Sequence, residues 1–417
     1  MVLNDLAEEY VRLALAIDRS DPGFVDAYCG PAAWRDQAAA GDPVPPAELA
    51  TRTDRLRTAL ADQDTLLPRV RFLTAQVRAF ATRLRLLQGE TLPFTEEVSG
   101  LYDHIPRWYP EEALAETHRR LEAVLPGRGT LGPRLRAWEQ RFVVAREQIL
   151  PLFETAAAVC RERTRDFLPL PEQEGVELAL VSEKPWGAYN WYQGGGRSRI
   201  EINTDLPRRA DDVLHYVAHE AYPGHHTELT IKEQVLARGE GLVEYFVYPL
   251  YTPQSFIAEG GADLGIELLF DPAEEEAFYR ERILPQAGSA GEDAARMLGV
   301  NRLRGVLDHA NGNAALLLFE RGATDAEAAA YLERWGLLSP EQAAKKVSFI
   351  RAYRGYVFNY RVGYELVRAY VTGGEASFEA RRERYRHLWT SAVTPGLLLH
   401  WLAPPGDGSM EDSGGGR

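Results

Sequence analysis

The sequence is poor in cysteine and in lysine and has no long apolar run, and each shortage removes a class of protein. Its two cysteines, Cys29 and Cys160, lie far apart with no Cys-x-x-Cys spacing. That excludes a disulfide scaffold and a cysteine-rich metal site, and the pair reads as two buried free thiols in a reducing compartment. Of the 47 basic residues only four are lysines (Lys184, Lys232, Lys345, Lys346), and they form no long basic run. With a net charge of −14, the chain lacks the basic face that nucleic acid requires. The longest uncharged stretch, "LWTSAVTPGLLLHWLAPPG", contains Pro395, Gly396 and His400, which makes it a poor membrane span. The opening "MVLNDLAEEYVRLALAIDRS" breaks its apolar residues with Asp5, Glu8, Glu9 and Arg12, as an amphipathic helix does and a signal peptide does not. These features predict a cytoplasmic protein that binds neither nucleic acid nor membrane.

What is present is helical periodicity. "VRFLTAQVRAFATRLRLLQ" and "LRAWEQRFVVAREQILPLFETAAAVCRERTRDF" repeat apolar residues every three or four positions. Breaks fall at "AGDPVPP" and "LPGRGTLGP", where Pro and Gly supply turns. The texture changes near residue 174. "GVELALVS", "GAYNWYQ" and "SRIEINT" are short and alternating, and "GGGRS" joins the last two, which predicts one small antiparallel sheet with a hairpin. Helical spacing then resumes to about residue 402. The expectation is a mainly α protein with a helical lobe over 1–170 and a second lobe over 171–403. A tail over 404–417 has too little apolar surface to order itself.

The chemistry concentrates in "HYVAHEAYPGHHTEL", where four of the nine histidines fall within twelve positions. It nearly reads H-E-x-x-H, whose histidines share one helix face at i and i+4. Here His219 and His225 are six apart, about 120° from a common face on a straight helix. His219 and His226 are nearly aligned but about 10.5 Å apart along the axis, too far to share an ion at bonds of about 2.1 Å. Pro223 lacks the N–H that would bond the carbonyl of His219, and Gly224 adds conformational freedom. The pair can bend the chain and return an imidazole to His219. That makes His225 the preferred second ligand and leaves His226 as the alternative.

A third ligand is available in "FIAEGGADLGIEL". Glu259 lies 33 residues beyond His226, and in one large class of zinc peptidases a glutamate on a following helix completes the site. Gly260, Gly261 and Ala262 beside it predict close approach to the first helix. Asp263, one turn on, can orient a ligand imidazole. Two histidines and one carboxylate leave an open position, as a catalytic Zn²⁺ site requires. Glu220, off the ligand stripe by one residue, is the candidate general base for water polarised at the metal. His215 reads as a surface or supporting residue, and His104, His118, His387 and His400 stand alone.

These residues resemble the bacterial domain of unknown function 885 family, whose hallmark H-E-x-x-P-G-H-h is matched by "HEAYPGHH". Asn203 and Thr204 match its Asn-Thr at a strand end. "EGGA" matches its Glu-Gly-Trp-Ala except that Gly261 replaces the tryptophan. "RGYVFNYRVG" keeps Gly355, Tyr360 and Gly363 of a P-G-Q-x-x-x-Y-x-x-G pattern, with Arg354 and Tyr356 substituted. The opening "YVRLALAIDRSDPGFVDAYCGP" is also similar to the family, so the resemblance spans most of the chain. It implies a gluzincin- or oligopeptidase-like helical fold with a catalytic helix beside an edge strand, and metal-dependent hydrolysis of peptides or other small amides. It supports His219, Glu220, His225 and Glu259. It makes Tyr360 the first choice for the group that stabilises the transition state, ahead of Tyr356 and His309. Asn203 would contact a peptide backbone along the edge strand.

Two other readings use the same residues. Two histidines and a carboxylate also describe the facial triad of a non-haem iron oxygenase, which has no need of Glu220. A structural or decayed metal site in a non-catalytic helical protein would normally fill its fourth position, often with cysteine.

Overall fold

The apolar periodicities fold as helices in the computed structural model, which describes residues 2–184, 186–374 and 376–402. The tail expected over 404–417 lies outside the described residues. Helix α1 (Leu3–Ser20) buries Leu6, Tyr10, Val11, Leu13, Ala14 and Ile17. It is followed by a short strand, β1 (Val25–Tyr28), and by helices α2 (Pro46–Ala61) and α3 (Pro68–Leu87). Proline at the first helical position starts both helices, where a missing N–H costs nothing. Their apolar faces close over α1 in one cluster that also takes in Leu236, Tyr245, Phe246 and Val247 from far along the chain.

Helix α4 (Arg146–Arg165) precedes three strands, β2 (Gly175–Val181), β3 (Ala188–Gly194) and β4 (Arg197–Asn203). The strand order is β2-β4-β3, with β2 parallel and β3 antiparallel to β4. The expected hairpin is present, and Gly194, Gly195 and Gly196 turn it with positive φ. The expectation of one antiparallel sheet is corrected in two respects. The sheet is mixed, because the hairpin folds β4 in beside β2. A second, two-stranded antiparallel sheet pairs β1 with β5 (Val247–Pro249). The middle strand β4 buries Ile200 and Ile202 while Arg199 and Glu201 alternate with them, as a one-sided sheet requires.

After the sheet come α5 (Val213–Glu220), α6 (His225–Ile231), α7 (Pro253–Leu264), α8 (Phe358–Thr372) and α9 (Phe378–Thr390). Helix α5 lies between α4 and α7, with β3 across its end. The two glycines of α7 admit different neighbours from those expected. A Cβ on Gly260 would lie 2.3 Å from the Gly363 carbonyl carbon of α8. One on Gly261 would lie 2.3 Å from the Trp389 indole of α9. Close approach toward α5 comes one turn later, where a Cβ on Gly265 would lie 2.8 Å from Pro223 Cδ. The indole of Trp389 thus fills the space that a side chain at position 261 would need. Among the described residues, no helix is long and apolar enough to cross a membrane.

Candidate metal centre

Helix α5 ends at Glu220 and α6 begins at His225, so the Pro-Gly pair does separate two helices. The Tyr222–Pro223 peptide is cis. The amide of Gly224 donates to the carbonyl of Ala218 at 2.9 Å, and the Thr227 amide donates to Ala221 at 3.2 Å. Glycine is required here by space: a Cβ at position 224 would lie 1.9 Å from the carbonyl oxygen of His219. Tyr385 of α9 donates its hydroxyl to the carbonyls of Gly261 and Pro223, tying the turn to α7.

The turn brings His225 back to His219, with their Nε2 atoms 3.2 Å apart. Glu259 of α7 completes the group, with Oε2 at 3.3 Å from His219 Nε2 and Oε1 at 3.6 Å from His225 Nε2. Donors around a tetrahedral ion with bonds of about 2.0–2.1 Å stand about 3.3–3.4 Å apart. The two imidazole nitrogens have that spacing, and the Glu259 carboxylate reaches each of them through one of its oxygens, so the three groups can close on one ion. The Oε2 atom of Glu259 is buried and accepts no hydrogen bond, a costly state that a cation would relieve.

Each donor is held from behind. His219 Nδ1–H donates to Asp263 Oδ1 at 2.8 Å, leaving Nε2 its lone pair. The hydroxyl of Tyr356 donates to Glu259 Oε1 at 2.7 Å. His225 Nδ1 lies 3.7 Å from Glu228 Oε2, and Glu228 is paired with Lys232. Without a metal, this geometry retains protons. Burial would raise Glu259, but His225 and His219 hold it well below the ordinary carboxylate range. Burial would lower His225, yet the carboxylates of Glu259 and Glu228 raise it to about 10. His219 is raised likewise against burial, by Asp263 and Glu259. A divalent cation would displace those protons.

Glu220 is buried beside the trio without belonging to it. Desolvation raises its pKa, while the imidazoles of His219 and His225 oppose the shift. Its backbone carbonyl accepts a 2.6 Å hydrogen bond from Asn190 of β3, which fixes the end of α5 to the edge strand. Tyr360, half-buried on α8, is raised well above 10 by burial and then by Glu259, Asp263 and Glu220. Its phenol therefore stays protonated and able to donate.

The remaining candidates lie elsewhere. His226 is fully buried and faces away, with Nδ1 at 2.8 Å from Ser198 Oγ and Nε2 at 3.0 Å from Glu174. Asn203 sits on the central strand, not an edge. Its amide donates to the carbonyls of Lys184 and Trp186, and its oxygen accepts from the Asp205 amide, so it shapes a loop. His309 bonds Glu365 and stacks on Tyr109 at 3.7 Å, away from the trio. Exposed His215 stands one turn before His219, with donor atoms within 4.8 Å of those of His219 and Asp263.

Sequence reasoning missed the N-terminal contribution. Asp26 of β1 accepts a hydrogen bond from the Tyr189 hydroxyl of β3. Burial raises Asp26 to about 6 against the effects of Tyr189 and His225. The alternation in "GAYNWYQ" marks Tyr189 as one face of a strand, but nothing local marks Asp26. A surface groove of about 860 Å³, lined by residues such as Arg163, Asp271 and Arg382, shares no residue with the trio.

No family model matches the chain, and no curated protein matches it either. Among solved structures it is similar to a "putative lipoprotein" from Colwellia psychrerythraea. The TM-score is 0.54 at 15% identity, covering 85% of this chain and 66% of that one. A second, a protein of unknown function from Shewanella oneidensis also described as a lipoprotein, gives a TM-score of 0.49 at 12% identity, covering 88% and 75%. The chain thus spans just under two thirds of the first neighbour's length. At this identity the likeness concerns the fold alone.

Proposed function

We propose that the chain is a zinc-dependent hydrolase of peptides or other small amides. We further propose that it belongs with the domain of unknown function 885 family and has a helical, zinc-peptidase-like architecture. The observation that carries the reading is the triangle of His219, His225 and Glu259, with an unbonded Glu259 oxygen turned into it. A zinc ion held there would supply a Lewis acid and a water of lowered pKa.

The chain's own groups account for the rest. Asp263 fixes the His219 tautomer, and Tyr356 orients Glu259. Glu220, desolvated and outside the trio, can receive a proton at its carboxylate and return it to a leaving nitrogen. Tyr360 can donate its phenolic hydrogen to oxyanion charge developing on the substrate. An iron oxygenase could use the same three ligands but leaves Glu220 without a task.

Metal content of protein purified without affinity metals tests the reading. About one zinc per chain is expected in the wild type, and loss in His219→Ala and Glu259→Ala. Glu220→Gln should keep its zinc and lose about 10²–10⁴-fold in hydrolysis of a peptide library. Iron in place of zinc, or full activity in Glu220→Gln, would overturn it.

A further inference from the structure

The N-terminal strand brings to the centre groups that the proposed hydrolytic chemistry does not use. In the β1–β5 ladder Val25 pairs with Pro249 and Ala27 with Tyr248, so Asp26 is the extra residue of a bulge. A bulge re-aims the side chain it carries. Here Asp26 points to the Tyr189 hydroxyl of β3. Its neighbour Ala27 packs in one cluster with Tyr248, with Leu229 of α6 and with Ala258, the residue before Glu259, and the charges of His225, Glu259 and Glu220 act on the Asp26 carboxyl. Tyr189 spends its hydrogen on Asp26 and so presents only oxygen lone pairs. Tyr248, opposite the bulge and only 5% exposed, has a hydroxyl with no partner. Burial, then Glu228, Glu259, Asp26 and Tyr189, raise that hydroxyl's pKa and keep it protonated.

This corner is rich in acceptors. Its carboxylates Asp26, Glu220 and Glu259 leave one negative charge in excess once a divalent ion is bound between neutral imidazoles. Asp263 and Glu228 are occupied with His219 and Lys232. A cation beside the reacting carbonyl would cancel that excess. Among peptide groups, the α-ammonium of a free amino terminus is the cation fixed two bonds from its own carbonyl.

Resting on the hydrolase reading, we infer that Asp26, with the oxygens of Tyr189 and Tyr248, binds the free α-ammonium of the substrate. The enzyme then removes residues from, or splits short peptides at, the amino-terminal bond. Asp26 accepts from the ammonium through the oxygen that Tyr189 does not engage, and the Tyr189 bond holds the carboxylate in orientation.

Binding of small hydroxamates, which anchor on the metal, tests this apart from turnover. The probes are leucine hydroxamate, N-acetyl-leucine hydroxamate and Nα-acetyl-lysine hydroxamate, titrated calorimetrically into zinc-loaded protein. Leucine hydroxamate should bind about 10–100-fold tighter than either acetylated probe, the range expected of a charge-assisted hydrogen bond. In Asp26→Asn, at unchanged zinc content, that preference should fall to within about threefold. Tyr189→Phe, which keeps the ring and the fold, should reduce it by a smaller factor. Equal binding of leucine and N-acetyl-leucine hydroxamates by the wild type overturns the inference while leaving the metal site intact. So does a preference that survives Asp26→Asn, or a tight lysine probe, which would assign the corner to a side-chain cation. No binding of any probe to zinc-loaded protein overturns the hydrolase reading as well.

Discussion

His225 and His226 are neighbours in sequence and opposite in circumstance. His225 keeps 14% of its side chain exposed and turns Nε2 toward His219 and Glu259. His226 is wholly buried, and both its nitrogens are spent on Ser198 and Glu174. Nearby carboxylates raise His225 to about 10 against burial, whereas burial lowers His226 despite Glu174. One helical step of about 100° separates a side chain with spare bonding capacity from one with none. A metal centre would need the first kind and the fold needs the second. The saturated network of Glu174, Tyr222, Arg161 and Arg165 around His226 anchors α6, so that His225 arrives at its place.

The sharpest way to break this contrast is to remove each ring in turn. His225→Ala should lose zinc by about 10³-fold or more in affinity, together with hydrolysis, and change the melting temperature of the metal-free protein little. His226→Ala should behave in reverse. It deletes a charge-assisted hydrogen bond and leaves a cavity, which costs about 2–4 kcal/mol by denaturant unfolding. Its zinc affinity should stay within about tenfold of wild type. If His226→Ala shed zinc while fully folded, the division of labour would be wrong.

A smaller effect tests the support behind the ligands. Asp263→Asn keeps the shape but weakens the acceptor for His219 Nδ1–H. The expected outcome is zinc affinity reduced about 10–100-fold, read by competition with a chelator, at nearly unchanged stability. An unchanged affinity would make Asp263 a surface carboxylate that merely lies near.

Much of this arrangement is legible in the sequence, and the limits have physical causes. His219, Glu220, His225 and Glu259 can be read because a helix has a fixed period and proline a fixed deficiency, so six-residue spacing demands a turn. The three strand segments are equally readable, but alternation carries no direction. The parallel β2–β4 pairing depends on which edge the hairpin folds to. The glycines of α7 announce close packing without saying against what, and α8 and α9 are the answer. Asp26 is the clearest omission: a lone aspartate in a four-residue strand, it acquires meaning only from Tyr189, which lies 163 residues away. Local periodicity cannot carry a contact of that range. The choice between His225 and His226 waits on Glu174 for the same reason.

The same contrast should show in pH dependence, where the two histidines pull in opposite directions. In the metal-free protein His225 sits at about 10, above its ordinary 6.5. Its stabilising contribution is full below about pH 6.5 and is lost as pH rises through about 10. His226 is lowered, so the unfolded chain takes up its proton first, and stability falls as pH drops below about 6.5. Zinc held by His219 and His225 would have to displace their protons, so its stabilisation should grow with alkalinity between these limits. Affinity should tighten by up to about tenfold per pH unit for each proton displaced. Each such decade adds about 1.4 kcal/mol to the stability measured at saturating zinc. Calorimetric titration at about pH 6.5, 7.5 and 8.5 reads this directly. In His226→Asn the acid-side loss should shrink while the alkaline gain in zinc affinity persists. A zinc affinity flat across that range would mean the imidazoles carry no proton to displace, and the contrast between the two neighbours would reduce to burial alone.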